Sequence, residues 1–227
     1  MAKASQNSQY PQQDMVISYL TIRKAVGYLG LSFPVILALG TWLIGKCPCL
    51  EISVSAYYYT IMGNYFVGTL CCVALFLFSY KGYDTLDQIL SKAAAIFGLG
   101  IAFLPTNFKN SCAGCTIFTR PDNAFLNIAH YLTAAFFFTI MAFMSLFLFT
   151  KTDANQQPTP QKLQRNKVYK VCAYIMVFFL ILIPALKIKA IPDWFFSWKP
   201  EFWFEAIVLG AFGVSWLTKG EAILQDK

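Results

Sequence analysis

Residues 124–150, AFLNIAHYLTAAFFFTIMAFMSLFLFT, contain no Asp, Glu, Lys or Arg. The run exceeds the roughly twenty apolar residues that carry a helix across a bilayer core. Strict alternation of apolar and polar residues is absent, so a barrel strand is not indicated. Only helices and closed barrels satisfy every backbone group in lipid. Working outward, five further apolar runs cover residues 25–45, 61–80, 89–106, 168–186 and 202–218. Together they predict an all-α polytopic membrane protein, a bundle of six transmembrane helices joined by short loops.

Composition agrees. Hydrophobic residues make up 57% of the chain and charged residues 13%, and 22 phenylalanines are too many for a water-soluble core of this length to hide. The run 89–106 is the shortest in uninterrupted apolar sequence, because Lys92 enters it near one end, and this opens a re-entrant reading. Charge parity opposes it. With six crossings and an inside N-terminus, one side of the membrane holds Lys3, Arg23, Lys24, Lys81, Lys92, Lys151, Lys162, Arg165, Lys167, Lys170, Lys219 and Lys227, twelve of the 18 basic residues. Both termini are therefore expected in the cytoplasm. The domain reading is a cytoplasmic tail over 1–20, a six-helix domain over 21–220 and a cytoplasmic tail over 221–227. The first twenty residues are polar and Gln-rich, with no sign of a removable signal peptide. Residues 151–167, with two prolines and no apolar periodicity, read as a flexible connection.

The net charge of +7 does not indicate nucleic acid, because the basic residues sit at the ends of apolar runs and are not gathered on one face. Lys187 and Lys189 read as interface anchors and the Trp- and Phe-rich segment 191–204 as an interfacial belt. Small residues inside the runs, Gly27 with Gly30, Gly98 with Gly100 and Gly210 with Gly213, read as close-packing positions.

Two cysteine clusters, Cys47 with Cys49 and Cys112 with Cys115, fall in loops on the outer side. In a bacterial host that side is the periplasm, where disulfides persist. A C-x-C spacing is tighter than zinc sites use, so no metal is expected. A bridge within C-P-C would be strained, which leaves two cross-links between the loops. The alternative is exchange chemistry: C-x-x-C lowers a thiol pKa, and outward cysteine pairs in a small helical membrane protein are similar in placement to those of quinone-linked disulfide oxidases of the DsbB type. Those have a four-helix core and a different loop order. Cys71, Cys72 and Cys172 fall within spans and read as small hydrophobes.

Polar residues inside the spans mark the candidate site. Asn123, Asn127 and His130, the only histidine, share one helical face. Glu201 and Glu205 lie one turn apart on the last helix, and Thr60, Asn64 and Gly68 lie on the second beside the aromatic run Tyr57, Tyr58 and Tyr59. A carboxylate in lipid needs an interior partner, and His130 is the candidate for Glu205. The expected ligand site comprises His130, Glu205, Asn64, Asn127 and Tyr58, opening outward, with His130 and Glu205 as acid and base or as ligand-holding groups. A satisfied interhelical hydrogen bond is the competing reading. One histidine excludes bis-His haem, and the sequence has no H-E-x-x-H, no G-x-S-x-G and no P-loop; no cofactor is expected.

The segments SAYYYTIMGNYFVGTL (55–70), FLFSYKGYD (76–84), FLPT (103–106), SLFLFTK (145–151) and RNKVYKVC (165–172) resemble a family of uncharacterised bacterial six-helix integral membrane proteins. The resemblance covers most of residues 20–220. It implies the six-helix fold and the bacterial inner (plasma) membrane as location, and supplies no reaction. That family is expected to carry a basic residue where this chain has Gly63.

The function read from the sequence is binding or sensing of a small amphiphile or lipid of the outer leaflet. A thiol-disulfide oxidoreductase passing electrons through Cys112 and Cys115 to a membrane quinone, and a structural subunit of a larger membrane assembly, stand as alternatives. The bilayer is the expected partner, and oligomeric state is left open.

Overall fold

The computed structural model describes residues 10–82, 84–109, 112, 114–152, 157–186 and 192–225, with backbone alone for 10–18 and 193. Lys3, Lys187, Lys189 and Lys227 lie outside the described residues. The helices are α1 (Tyr10–Leu43), α2 (Gly63–Ser79), α3 (Thr85–Phe103), α4 (Ala124–Phe143), α5 (Pro160–Ala185), a single turn α6 (Asp193–Phe196) and α7 (Pro200–Lys219). A short 3₁₀ segment, Ser55–Tyr59, precedes α2, and α4 continues through a π turn, Met144–Leu148.

Among the described residues, four helical segments are long and apolar enough to cross a membrane: Tyr19–Leu43, Thr85–Phe103, Ala124–Leu148 and Pro160–Ala185. Their outward side chains are mostly apolar, with Phe125 75%, Ile181 70% and Leu43 69% exposed, and the exposed charged ones, Lys92, Lys167 and Lys170, together with Gln164, lie in the first turns of their helices or close to them. Water would oppose such a surface; hydrocarbon accommodates it. The run with Lys92 is a complete helix, α3, so a re-entrant turn is not formed there.

Two boundaries differ from the sequence reading. The helix that begins the bundle starts at Tyr10, inside the expected polar tail, because Pro11 in its first turn is pre-set for helix and the Gln, Met and Leu residues that follow favour it. Likewise α5 starts at Pro160, within the expected flexible connection. Thr159 caps it, its hydroxyl accepting from Lys162 N–H at 3.1 Å, and proline occupies the first turn. Local capping thus converts a stretch without apolar periodicity into helix.

Each long helix packs on its neighbours in sequence, and α7 closes the ring against α1 and α5. The α1–α7 contact is antiparallel and close. A methyl on Gly213 would meet Gly27 O and Leu31 N at 2.8 Å, and one on Gly27 would meet Leu217 N at 2.7 Å. These glycines let two backbones touch. Gly210 faces open space, so its expected packing role is absent. A methyl on Gly63 would run into the Tyr58 carbonyl, so this close turn has no room for a side chain at position 63. Arg23, near the start of the bundle, and Lys219, at its end, line one cavity, so the two ends of the bundled chain lie on the same side.

Candidate functional site

At the opposite end, the loops after α1 and α3 are clasped together. Cys47 pairs with Cys115 and Cys49 with Cys112, joining residues 68 and 63 apart in sequence. The two inter-loop bridges expected from the sequence are therefore present, and Cys112 and Cys115 are each bonded to the other loop. The Cys49, Cys112 and Cys115 sulfurs lie within 4.8 Å of one another, a grouping that thiolate metal sites also use, but here the disulfides consume them. Beside the bridges, Thr60 and Thr116 form an isolated antiparallel bridge, Ile117 N–H donates to Tyr59 O at 3.0 Å, and the Tyr59 hydroxyl donates to Thr106 O at 2.5 Å.

Held this way, residues 51–62 do not cover the bundle as a surface loop but fold into it. Glu51, Ser53, Val54, Tyr57, Tyr59 and Thr60 are all buried. The 3₁₀ turn presents two amide N–H groups at its start, which lack intrahelical acceptors. Glu205 of α7 takes both: Val54 N–H donates to Oε2 at 2.7 Å and Ser55 N–H at 3.3 Å. Two donors and the positive end of the turn suit a carboxylate at this depth.

The other side of Ser55 meets His130. Its Nδ1 lies 2.6 Å from Leu104 O, at the C-terminus of α3, and its Nε2 lies 3.0 Å from Ser55 Oγ. A carbonyl only accepts, so Nδ1 carries the hydrogen and neutral Nε2 accepts from the serine hydroxyl. His130 and Glu205 therefore come together through Ser55: the imidazole is oriented by Leu104 and Ser55 and the carboxylate by the Ser55 and Val54 amides. Tyr131, next to His130, is hydrogen-bonded to Glu201 and lies close to Glu205.

The other expected residues sit elsewhere. Asn127 Oδ1 accepts from Asn107 N–H and Asn123 N–H donates to Asn107 Oδ1, both at 3.0 Å, while Asn123 Oδ1 caps α4 through Leu126 N–H at 3.1 Å. The asparagine stripe thus latches the α3–α4 loop. Tyr58 packs edge-on against Tyr59, Phe66 and Phe118, and Asn64 is exposed on α2. None of these three lines the cavity beside His130. Ser55, Val54 and Tyr131 do, and sequence reading missed them; the only signal for Ser55 was its place in the small-residue loop before the tyrosines.

That cavity has a volume of about 300 Å³ and reaches from the His130–Ser55–Glu205 cluster into the bundle between α1, α2, α4, α5 and α7. Its wall is otherwise nearly all apolar, for example Phe33, Leu70, Phe137 and Phe212. It also includes Ile128 and Leu132 on α4, which are 58% and 52% exposed, facing Ile183 and Pro184 of α5. The cavity therefore opens sideways on the apolar outer surface, between α4 and α5.

Fold and site define an all-helical, membrane-type protein with two disulfide-linked loops beside a laterally open apolar cavity. Comparison of the chain with protein families, with curated proteins and with solved structures finds no match.

Proposed function

We propose that the protein crosses a bacterial inner membrane six times, through α1–α5 and α7, with both termini in the cytoplasm, and that its cavity binds or senses a small amphiphile drawn from the outer leaflet. The sideways opening between α4 and α5 carries this reading: a ligand entering there comes from hydrocarbon and not from water. The 17 residues of α2 and the 20 of α7 give rises of about 26 and 30 Å, close to the thickness of the bilayer core. The exposed Trp194, Trp198 and Trp203 supply an aromatic belt near the disulfide end.

The polar end of the cavity offers a carboxylate, an oriented imidazole and two hydroxyls, and no cation among the described wall residues. It suits an amphiphile whose head donates hydrogen bonds, such as a hydroxyl or an ammonium, over an anionic one. Glu205 would receive the head, His130 and Ser55 would hold its orientation, and the apolar wall would take the chain. Native mass spectrometry of protein purified in mild detergent tests the reading. Wild type should carry a co-purifying amphiphile that Glu205→Gln loses while staying folded, and that Leu132→Trp, at the mouth, also excludes. Wild-type protein with no adduct, or full occupancy in both variants, contradicts it. Sidedness is tested separately: after reduction, an impermeant maleimide on intact cells should reach Cys49, and modification only in inverted vesicles would reverse the topology.

A further inference from the structure

The four sulfurs that clasp the loops after α1 and α3 form one cluster and not two separate bridges. Cys49 Sγ lies 3.7 Å from Cys115 Sγ, to which it is not bonded, and the Cys49, Cys112 and Cys115 sulfurs all lie within 4.8 Å of one another. Opening the Cys49–Cys112 bond therefore leaves a thiolate beside the sulfurs of the other bridge. Disulfides exchange by attack of just such a thiolate on a neighbouring sulfur.

Access to the cluster is one-sided. Cys49 is exposed, whereas Cys47, Cys112 and Cys115 are only 8%, 3% and 6% exposed. A thiolate from outside reaches the Cys49–Cys112 bond at Cys49, and the sulfur it expels is that of Cys112. Cys112 already sits in a turn that favours its next bond. Cys115 N–H donates to Cys112 O at 3.2 Å, the hydrogen bond of a four-residue turn, and Gly114 holds φ at +83°, a value that such turns assign to glycine in their third position. The ends of such a turn lie within about 7 Å, close to the Cα separations that disulfides span. The spacing of Cys47 and Cys49 gives no such partner, because a bridge within C-P-C would be strained.

We propose that this cluster is a thiol–disulfide exchange site that oxidises an external dithiol, with Cys49 as the sulfur attacked and Cys112–Cys115 as the bond left in the protein. The first thiolate of the dithiol bonds to Cys49 Sγ, and the Cys49–Cys112 bond breaks with its electron pair leaving on Cys112. The Cys112 thiolate then bonds to Cys115 Sγ, and the Cys47–Cys115 bond breaks with its pair leaving on Cys47. Finally the second thiolate of the dithiol attacks its own partner sulfur and releases Cys49. The dithiol leaves as a disulfide, its two protons end on Cys47 and Cys49, and the protein has gained two electrons. Both links between the loops are lost in that one step, and the hydrogen bonds of Tyr59 with Thr106 and Ile117 are left to hold them. The entry point is thus Cys49 and not the C-x-x-C pair itself. Nothing in the scheme requires the amphiphile cavity, so either can fail alone.

The full-length protein in maltoside detergent, with its accessible free thiols capped by N-ethylmaleimide, is treated with less than one equivalent of reduced dithiothreitol. New thiols are trapped with deuterated N-ethylmaleimide and mapped by mass spectrometry of the unreduced digest, while tryptophan fluorescence reports whether the fold persists. The main reduced species should carry the label on Cys47 and Cys49 and a Cys112–Cys115 bond, with both inter-loop links lost together. Glutathione, a monothiol that cannot complete the last step within one molecule, should instead stay attached to Cys49. A main species labelled on Cys49 and Cys112 with Cys47–Cys115 intact overturns the proposal. So does glutathione on any of the other three sulfurs, or reduction that occurs only as the protein unfolds.

Discussion

The two disulfides are nested, and nesting makes their contributions unequal in a calculable way. With Cys49–Cys112 in place, Cys47–Cys115 closes only a small ring, residues 47–49 and 112–115, of about seven residues. Chain entropy then assigns the second bridge about 2 kcal/mol, whereas the first to form closes a loop spanning 63 residues and contributes about 4 kcal/mol. Helices α2 and α3 lie within that loop, and helical structure retained when the bundle loosens shortens its effective length and makes the larger figure an upper bound. Replacing either pair by serine should therefore lower stability by about 2 kcal/mol, and replacing all four cysteines by clearly more than the sum of the two paired variants. Thermal unfolding in detergent, followed by tryptophan fluorescence, measures this. Strict additivity of the two paired variants would refute the nested arrangement, as would one pair alone costing as much as all four.

Two further perturbations separate packing from ionisation. Gly213→Ala forces a methyl against the α1 backbone at Gly27 and Leu31 and should destabilise by about 3 kcal/mol, whereas Gly210→Ala meets open space and should be neutral or slightly stabilising; detergent melting of the two variants gives the comparison. Burial pushes the Tyr57 phenol from 10.0 up to about 12. Because the folded state holds the proton more tightly, this stability is fully present below pH 10 and is lost as pH rises through 12. Melting midpoints should fall over that window, and Tyr57→Phe should make the fall shallower; an unchanged slope would remove Tyr57 from the account.

How much of this was legible in the sequence differs between the helices and the loops. Apolar runs such as 124–150 declare themselves by length, and the strain within C-P-C implied two cross-links between the loops without saying which cysteine joins which; the structure pairs Cys47 with Cys115 and Cys49 with Cys112. The Glu205 partner was not legible, because the atoms that bind it are the amides of Val54 and Ser55, which every residue possesses. Side-chain periodicity said only that a carboxylate in a span needs company, and pointed to His130, which connects to Glu205 only by way of Ser55. Asn127 misled for the same reason: its helical face pointed toward His130, while its partner, Asn107, belonged to a loop with no periodic signal. The cavity lined by Arg23 and Lys219 also draws in Lys151, Lys162 and Arg165, from four separate regions of the chain in all, and each alone reads as an orientation signal.

The sideways-opening cavity is tested most directly by photo-crosslinking in native membranes with a long-chain alcohol carrying a diazirine near its end. Adducts should concentrate on residues 128–138 of α4 and 180–184 of α5, and should fall sharply in Leu132→Trp. Adducts spread evenly over outward-facing positions such as Phe125 and Leu43, unchanged by that substitution, would contradict a cavity filled from the bilayer.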